Sequence, residues 1–303
     1  MTPALTQIIV IFFAIAVGFL CRKLSVMSES STAMLSNFVV KVALPFFLFG
    51  SIVSSNVGIS NQDMLAAIGF SLLFYLICGL IAVGTVKLLH TPKEDAGVYM
   101  FEILCSNTTY MGIPICAAAL GSSAAFYASI LCIVYNLVCF SLGLFLLAGK
   151  VSLRQILNPP FLAGTLATIL YAGKLPVPEV LVNAASFIGQ STSPCAMLVI
   201  GSVLAAVPLQ NMFSEWRAVP YLLIRLFGAA AAIALLLCFL PVDPSLKGML
   251  IIMAAMPAAT NSTMLCTIYG GNRTLSAKLI FLSTALSALT IPLWIRWIGI
   301  NIM

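Results

Sequence analysis

The sequence predicts an all-α polytopic membrane protein of ten transmembrane helices, and three observations predict it. Hydrophobic residues make up 62% of the 303 and charged residues 7%, with a mean hydropathy of +1.14. Soluble domains carry about a quarter charged residues, so these side chains cannot assemble a water-facing surface. The apolar residues come in runs near the ~20 needed to cross about 30 Å of hydrocarbon. Short clusters of charge and turn formers separate those runs, and no polar stretch is long enough to suggest a separate soluble domain.

The spans follow in order. Span 1 (5–21) lies in "MTPALTQIIVIFFAIAVGFLC", which has no basic leader and no small-residue cleavage pattern, and reads as a retained helix. Span 2 (32–54) contains "LSNFVVKVALPFFLFGS", with Lys41 and Pro45 inside it, and span 3 covers 64–88, with Lys87 at its end. Span 4 (96–119) carries "CSNTTYMGIPI" at 105–115, a turn vocabulary inside an apolar run. Span 5 (122–148) opens with "SSAAFYAS", small residues suited to close helix packing. Span 6 (158–173) is short and starts at Pro159–Pro160, and span 7 (179–207) holds "GQSTSPC" at 189–195. Span 8 (218–240) contains Arg225 and the small-residue run "AAAAI", span 9 (247–269) contains "MPAATNSTML", and span 10 covers 275–299.

Loop charge predicts the orientation. With ten spans, Arg22, Lys23, Lys87, Lys93, Lys150, Arg154, Arg217, Arg273 and Lys278 fall on one side, against Lys174, Lys247 and Arg296 on the other. Basic loops stay cytoplasmic, which places both termini outside. The nine cysteines are scattered singly, without C-x-x-C, and behave as small hydrophobes. His90 is the one histidine, so no haem, zinc site or histidine-based triad is expected, and no metal or other cofactor. No nucleotide-binding G-x-x-x-x-G-K-[ST] pattern is present, and no nucleic-acid partner is expected.

The chain divides at the 149–158 loop into five spans and five, giving repeats at 1–148 and 149–303. An odd number of spans per half means that the repeats are inverted across the membrane. Spans 2 and 7 echo each other, with Pro45 and Pro194 mid-span and Gly50–Ser51 and Gly201–Ser202 near their ends. Spans 4 and 9 both place Asn, Thr and Pro at bilayer depth. Paired interrupted spans are the best sequence pointer to a transporter's binding site. Pro114 and Pro257 lack an N–H and should break the helical ladder. Irregular backbone survives in lipid only when buried in protein or lining a wet cavity. Half-helix N-termini then direct free N–H groups and partial positive charge at one place, which favours an anion. Asn107, Thr108, Thr260, Asn261 and Ser262 add neutral polar groups there.

These two motifs, "SNTTYMGIPI" in the fourth span and "AAMPAATNSTML" in the ninth, resemble the auxin efflux carrier family in its bacterial organic-acid permease branch. The resemblance extends over essentially the whole chain. It implies a bile acid symporter/NhaA-like fold: two inverted five-helix repeats whose helices 4 and 9 cross at their prolines. A scaffold and a transport or core domain would each be built from both halves. It also implies a homodimer through the scaffold spans, in the plasma (bacterial inner) membrane. Asn107, seven residues before Pro114, matches the position that meets a substrate carboxylate in the plant carriers; Pro257 matches the ninth-span crossover proline and Asn261 the polar position after it. The plant carriers have a long loop between spans 5 and 6, whereas here that stretch is the short "GKVSLRQILN".

Individual charges need separate readings. Lys41 stands about fifteen ångströms into span 2 if helical, near the midplane. It reads either as a cation near the anion site or standing in for a coupling ion, or as a lysine that snorkels or pairs with a carbonyl. It precedes Pro45 by four residues, as Gln190 precedes Pro194 by four, so the two form a pseudo-symmetric pair. Gln190 and its neighbouring hydroxyls read as cavity lining or as interhelical hydrogen bonds. Glu102, five residues before Asn107, is either a carboxylate that carries a coupling proton or an interfacial glutamate paired with a basic loop residue. Arg225, eight residues inside span 8, is expected to snorkel.

The expected function is a secondary carrier for a small organic anion, working by alternating access, with H+ symport, Na+ symport and uniport all open. A sodium-coupled carrier like the bile-acid symporters is one alternative, and a transporter-like membrane receptor without flux is another. An intramembrane enzyme is not expected, because no span has a Ser/His or Asp/Asp constellation.

Overall fold

The computed structural model describes residues 3–54, 58–206 and 218–302. The stretch 207–217, with Arg217 and the end of span 7, lies outside the described residues. The described chain is helical apart from turns and one isolated β-bridge. Its elements are α1 (Pro3–Lys23), α2 (Glu29–Val53), α3 (Asn61–Leu88), α4 (Lys93–Leu104), α5 (Thr108–Leu120), α6 (Ser122–Ala148) and α7 (Leu153–Ile156). They continue with α8 (Pro159–Ala172), α9 (Glu179–Ala206), α10 (Ala218–Cys238), α11 (Pro244–Ala255), α12 (Ser262–Tyr269) and α13 (Arg273–Asn301). Six of these, α2, α3, α6, α9, α10 and α13, are long and apolar enough to cross a membrane, and α5, α8 and α11 are shorter apolar helices.

Helix starts follow the local sequence. Asn158 caps α8 by accepting from the Phe161 N–H (3.0 Å), with Pro159 and Pro160 in the first turn, where a missing N–H costs nothing. Asp243 before Pro244 does the same for α11 through Leu246 N–H (3.0 Å), and Asn272 caps α13 through Leu275 N–H (3.0 Å). Gly121 and Gly270 end α5 and α12 with φ of 84° and 89°, a backbone that side chains with a Cβ rarely adopt.

Among the described residues four helices contain π-helical turns, at Val39–Ala43, Thr108–Gly112, Cys139–Gly143 and Ile224–Gly228. Lys41 and Arg225, the two basic residues placed inside spans by the sequence, each lie within one of them. The turns at Val39–Ala43 and Thr108–Gly112 come just before Pro45 and Pro114. A widened turn absorbs the ring that would otherwise strike the preceding carbonyl. Pro114 therefore does not break its span as expected: it sits within α5, and the interruption lies earlier, at 105–107.

The described chain forms two compact units, and α3 and α6 pass from one into the other. The first comprises 1–68, 109–133 and 157–206. Here α1 packs along the second half of α9, and the end of α2 packs on α8 and the first half of α9. The α1–α9 contact is backbone-close: a Cβ on Gly18 would meet the Leu198 carbonyl, and one on Gly201 the Ile15 carbonyl. A buried hydrogen bond joins Thr32 and Ser202 hydroxyls (2.6 Å).

The second unit comprises 69–108, 134–156 and 207–303. In it α13 packs against α4, α10, α11 and α12, and α4 packs on the end of α6. The side of α13 turned to these helices carries Ser276, Ser283, Thr284, Ser287 and Thr290, all buried. Such a polar stripe in an apolar helix must find hydrogen-bond partners within the protein.

Candidate functional site

The two interrupted spans meet within the second unit. Helix α4 ends at Leu104, and α11 ends at Ala255 because Met256, preceding Pro257, is driven from helical into extended backbone (φ −65°, ψ 148°). The freed segments pair: Ser106 and Ala258 form an antiparallel bridge, and the Asn107 N–H donates to the Pro257 carbonyl (2.8 Å). Ser106 Oγ donates to the Met253 carbonyl (3.2 Å), and the Ala258 N–H donates to Ser283 Oγ (3.1 Å). These contacts satisfy backbone groups that the broken helices leave without partners, which in an apolar interior would cost several kcal/mol each.

The chain resumes helix at Thr108 (α5) and at Ser262 (α12), each within four residues of the bridge. Asn107 is 2% exposed and its Nδ2 has no partner; Thr108 is fully buried and its hydroxyl has none. Buried polar groups are normally hydrogen-bonded, so these two are unused donors held at a helix start. Asn261, half-buried, precedes α12, and its Oδ1 accepts weakly from Tyr135 OH (3.5 Å). Thr260 is half-buried in the turn before it.

A second polar cluster lies beside the bridge. Glu102, four residues before Ser106, is buried, and its Oε1 accepts from Ser262 Oγ (2.5 Å) and Ser276 Oγ (2.9 Å). Both serines are fully buried. Glu102 is therefore buried in the protein, and its hydrogen-bond partners are serines rather than a basic loop residue. Arg225 is 3% exposed and donates through Nη1 to the Ile103 carbonyl (3.3 Å), so it does not snorkel as expected. The π-helical turn and the packing of α10 against α4, α11 and α13 hold it inward. Ser276 and Ser283 were missed in the sequence, although the seven-residue spacing of 276, 283 and 290 along an apolar helix marks one polar face.

The structure thus brings Glu102, Asn107, Thr108, Pro257, Thr260, Asn261 and Ser262 into one unit around the bridge. Lys41, Pro114 and Gln190 belong to the first unit. Pro114 is buried, whereas Lys41 and Gln190 are exposed. Gln190 lies in a two-residue turn, 190–191, that interrupts α9. Among the described residues no cluster of three or more His, Cys, Asp or Glu is placed to hold a metal.

The profile of a protein family described as "Membrane transport protein" matches this chain twice, over residues 3–151 and 146–295. An uncharacterised transporter of Methanocaldococcus jannaschii is 24% identical over 97% of this chain and 98% of its own. One from Methanothermobacter thermautotrophicus is 25% identical over 92% and 93%. A protein of Rhizobium meliloti named "Putative malonate transporter" is 25% identical over 95% of this chain and 93% of its own.

Proposed function

Because the chain belongs to this membrane transport protein family, that of the auxin efflux carriers, we propose that it is a secondary carrier of a small organic anion. It works by alternating access around the crossing of its fourth and ninth spans. The observation that carries this reading is the pair of unused buried donors, Asn107 Nδ2 and Thr108 Oγ1, at the start of α5. A helix N-terminus carries partial positive charge, and an amide and a hydroxyl beside it complete a cradle for a carboxylate. The name of the Rhizobium meliloti relative, which specifies malonate, supports a carboxylate as the guest.

Two inverted five-helix repeats, 1–148 and 149–303, are part of the same reading. It is supported by the recurrence of a helix, a break, a half-helix ending in a positive-φ glycine, and a long helix: α4 to α6 and again α11 to α13. The twofold family match and the irregular turns before Pro45 and Pro194 point the same way. Lys41 and Gln190 occupy equivalent places in that scheme and serve as outer determinants of the anion path. Both termini lie on the outer side of the inner membrane, as the loop charges require.

Uptake of labelled carboxylates into vesicles containing the purified protein tests this function. Saturable flux that Asn107→Ala removes is expected. Binding without flux would instead identify a receptor, and flux that depends on sodium would identify a carrier coupled like the bile-acid symporters.

A further inference from the structure

Glu102 Oε1, Ser262 Oγ and Ser276 Oγ form a closed triangle with edges of 2.5, 2.9 and 2.7 Å. Each edge is at hydrogen-bond length and needs one proton between its oxygens. The two serine hydroxyls bring two protons. Thr263, whose hydroxyl lies 3.2 Å from Ser276 Oγ, adds a proton outside the triangle and none within it. The third edge is filled only if the carboxyl group is itself protonated. An ionised carboxylate would leave two oxygens facing each other with no proton between them.

The surroundings fit a group that changes charge. The other carboxyl oxygen, Oε2, has no partner, nor have Nε and Nη2 of Arg225. Glu102 and Arg225 line one small cavity together with Tyr99, Tyr221, Ala258 and Ser283. Its open space, about 10 Å³, is near the minimum for a single water. Arg225 is the charged group that faces Glu102. The other titratable neighbours are the Tyr99 and Tyr221 phenols across the cavity and the Cys105 and Cys266 thiols. Helix α13 contributes the Ser276 and Ser283 hydroxyls and the apolar Leu279.

We propose that Glu102 is the proton site of this carrier and that Arg225 is its counter-charge, so that the organic anion moves together with a proton. The proposal rests on the carrier reading above. In the step itself, a proton from water on one side adds to the Glu102 carboxylate and forms an O–H bond. On the other side that bond breaks and the proton returns to water; nothing is oxidised or reduced. With the proton on, the ring is complete and ties α4, the first residue of α12 and α13 together beside the bridge. With the proton off, the ring loses one edge and the carboxylate is drawn towards the unpaired Arg225 nitrogens across the cavity. Because Ser262 opens the half-helix that follows the crossover, the proton controls how that half-helix is held.

The test uses purified protein in liposomes, with labelled malonate as the probe, comparing the wild type with E102Q. Uptake is measured in counterflow exchange and under an imposed inward proton gradient, with an internal pH dye reporting proton entry. The wild type is expected to gain several-fold from the gradient and to carry protons in with malonate. In E102Q the ratio of uptake with and without the gradient should fall to one, and proton entry should vanish. Gradient-driven uptake by E102Q, or wild-type malonate flux without proton entry, overturns the proposal. Absence of counterflow in the wild type speaks against the carrier reading for this anion, and the proton site is then decided by infrared spectroscopy. At neutral pH the wild type should show a protonated carboxyl C=O band that E102Q lacks, and its absence overturns the proposal. If E102Q does not fold, S276A takes its place: breaking one edge of the ring must shift that band, and an unmoved band is equally fatal.

Discussion

The backbone N–H of Asn107 is spent on the carbonyl of Pro257, 2.8 Å away, while the Asn107 side-chain amide is left without a partner. The tie that Asn107 itself makes to the other broken span is thus made by main chain. The side chain is free for a guest, and structure and recognition at this residue are separable.

That separation gives the first expected outcome. Asn107→Ala keeps the N–H and its bond, so expression and thermal stability should change little. It removes a donor to a charged ligand, an interaction of about 1.5–3 kcal/mol, so uptake should fall by roughly ten- to a hundredfold. Initial-rate uptake beside a melting curve checks both, and undiminished flux would remove Asn107 as the anchor.

Ser283→Ala should do the opposite. Its hydroxyl accepts the Ala258 N–H, and removing it strands a buried donor at the crossover. A loss of about 1–3 kcal/mol is expected, seen as a lower melting temperature with substrate affinity altered far less. Equal stability of the variant and the wild type would show that another acceptor takes over.

Lys41→Ala tests the role of charge in the first unit. If Lys41 serves the anion path, carboxylates should be weakened far more than uncharged analogues of the same size. Competition assays with matched acid and amide pairs measure the difference, and an equal effect on both would assign Lys41 to lipid or solvent contact.

Gly201→Val addresses the α1–α9 contact, where a Cβ has no room beside the Ile15 carbonyl. Forcing the helices apart should cost about 1–3 kcal/mol or more, with less monodisperse protein in detergent whether or not substrate is present. Normal melting of this variant would contradict the close packing.

The interrupted fourth and ninth spans were legible because turn residues and prolines inside apolar runs have few tolerable outcomes in lipid. Their place in the chain was read correctly for "MPAATN", where Pro257 itself sits in the extended segment. It was read seven residues late for "CSNTTYMGIPI", because the π-helical turn before Pro114 accommodates the ring and leaves the break at 105–107. Arg225 was misplaced for a related reason. A long side chain eight residues from a span end can reach interface or core, and local sequence does not say which.

Composition and run length determined that this chain is helical and belongs in a membrane, since burying so little charge leaves no other solvent for it. Motif chemistry also marked Asn107, Pro257 and Glu102 as unusual. Which partners they meet was decided only by tertiary structure. Glu102 finds Ser262 and Ser276 at separations of 160 and 174 residues. Hydrogen bonds reach about 3 Å in space and carry no imprint on the sequence between their ends.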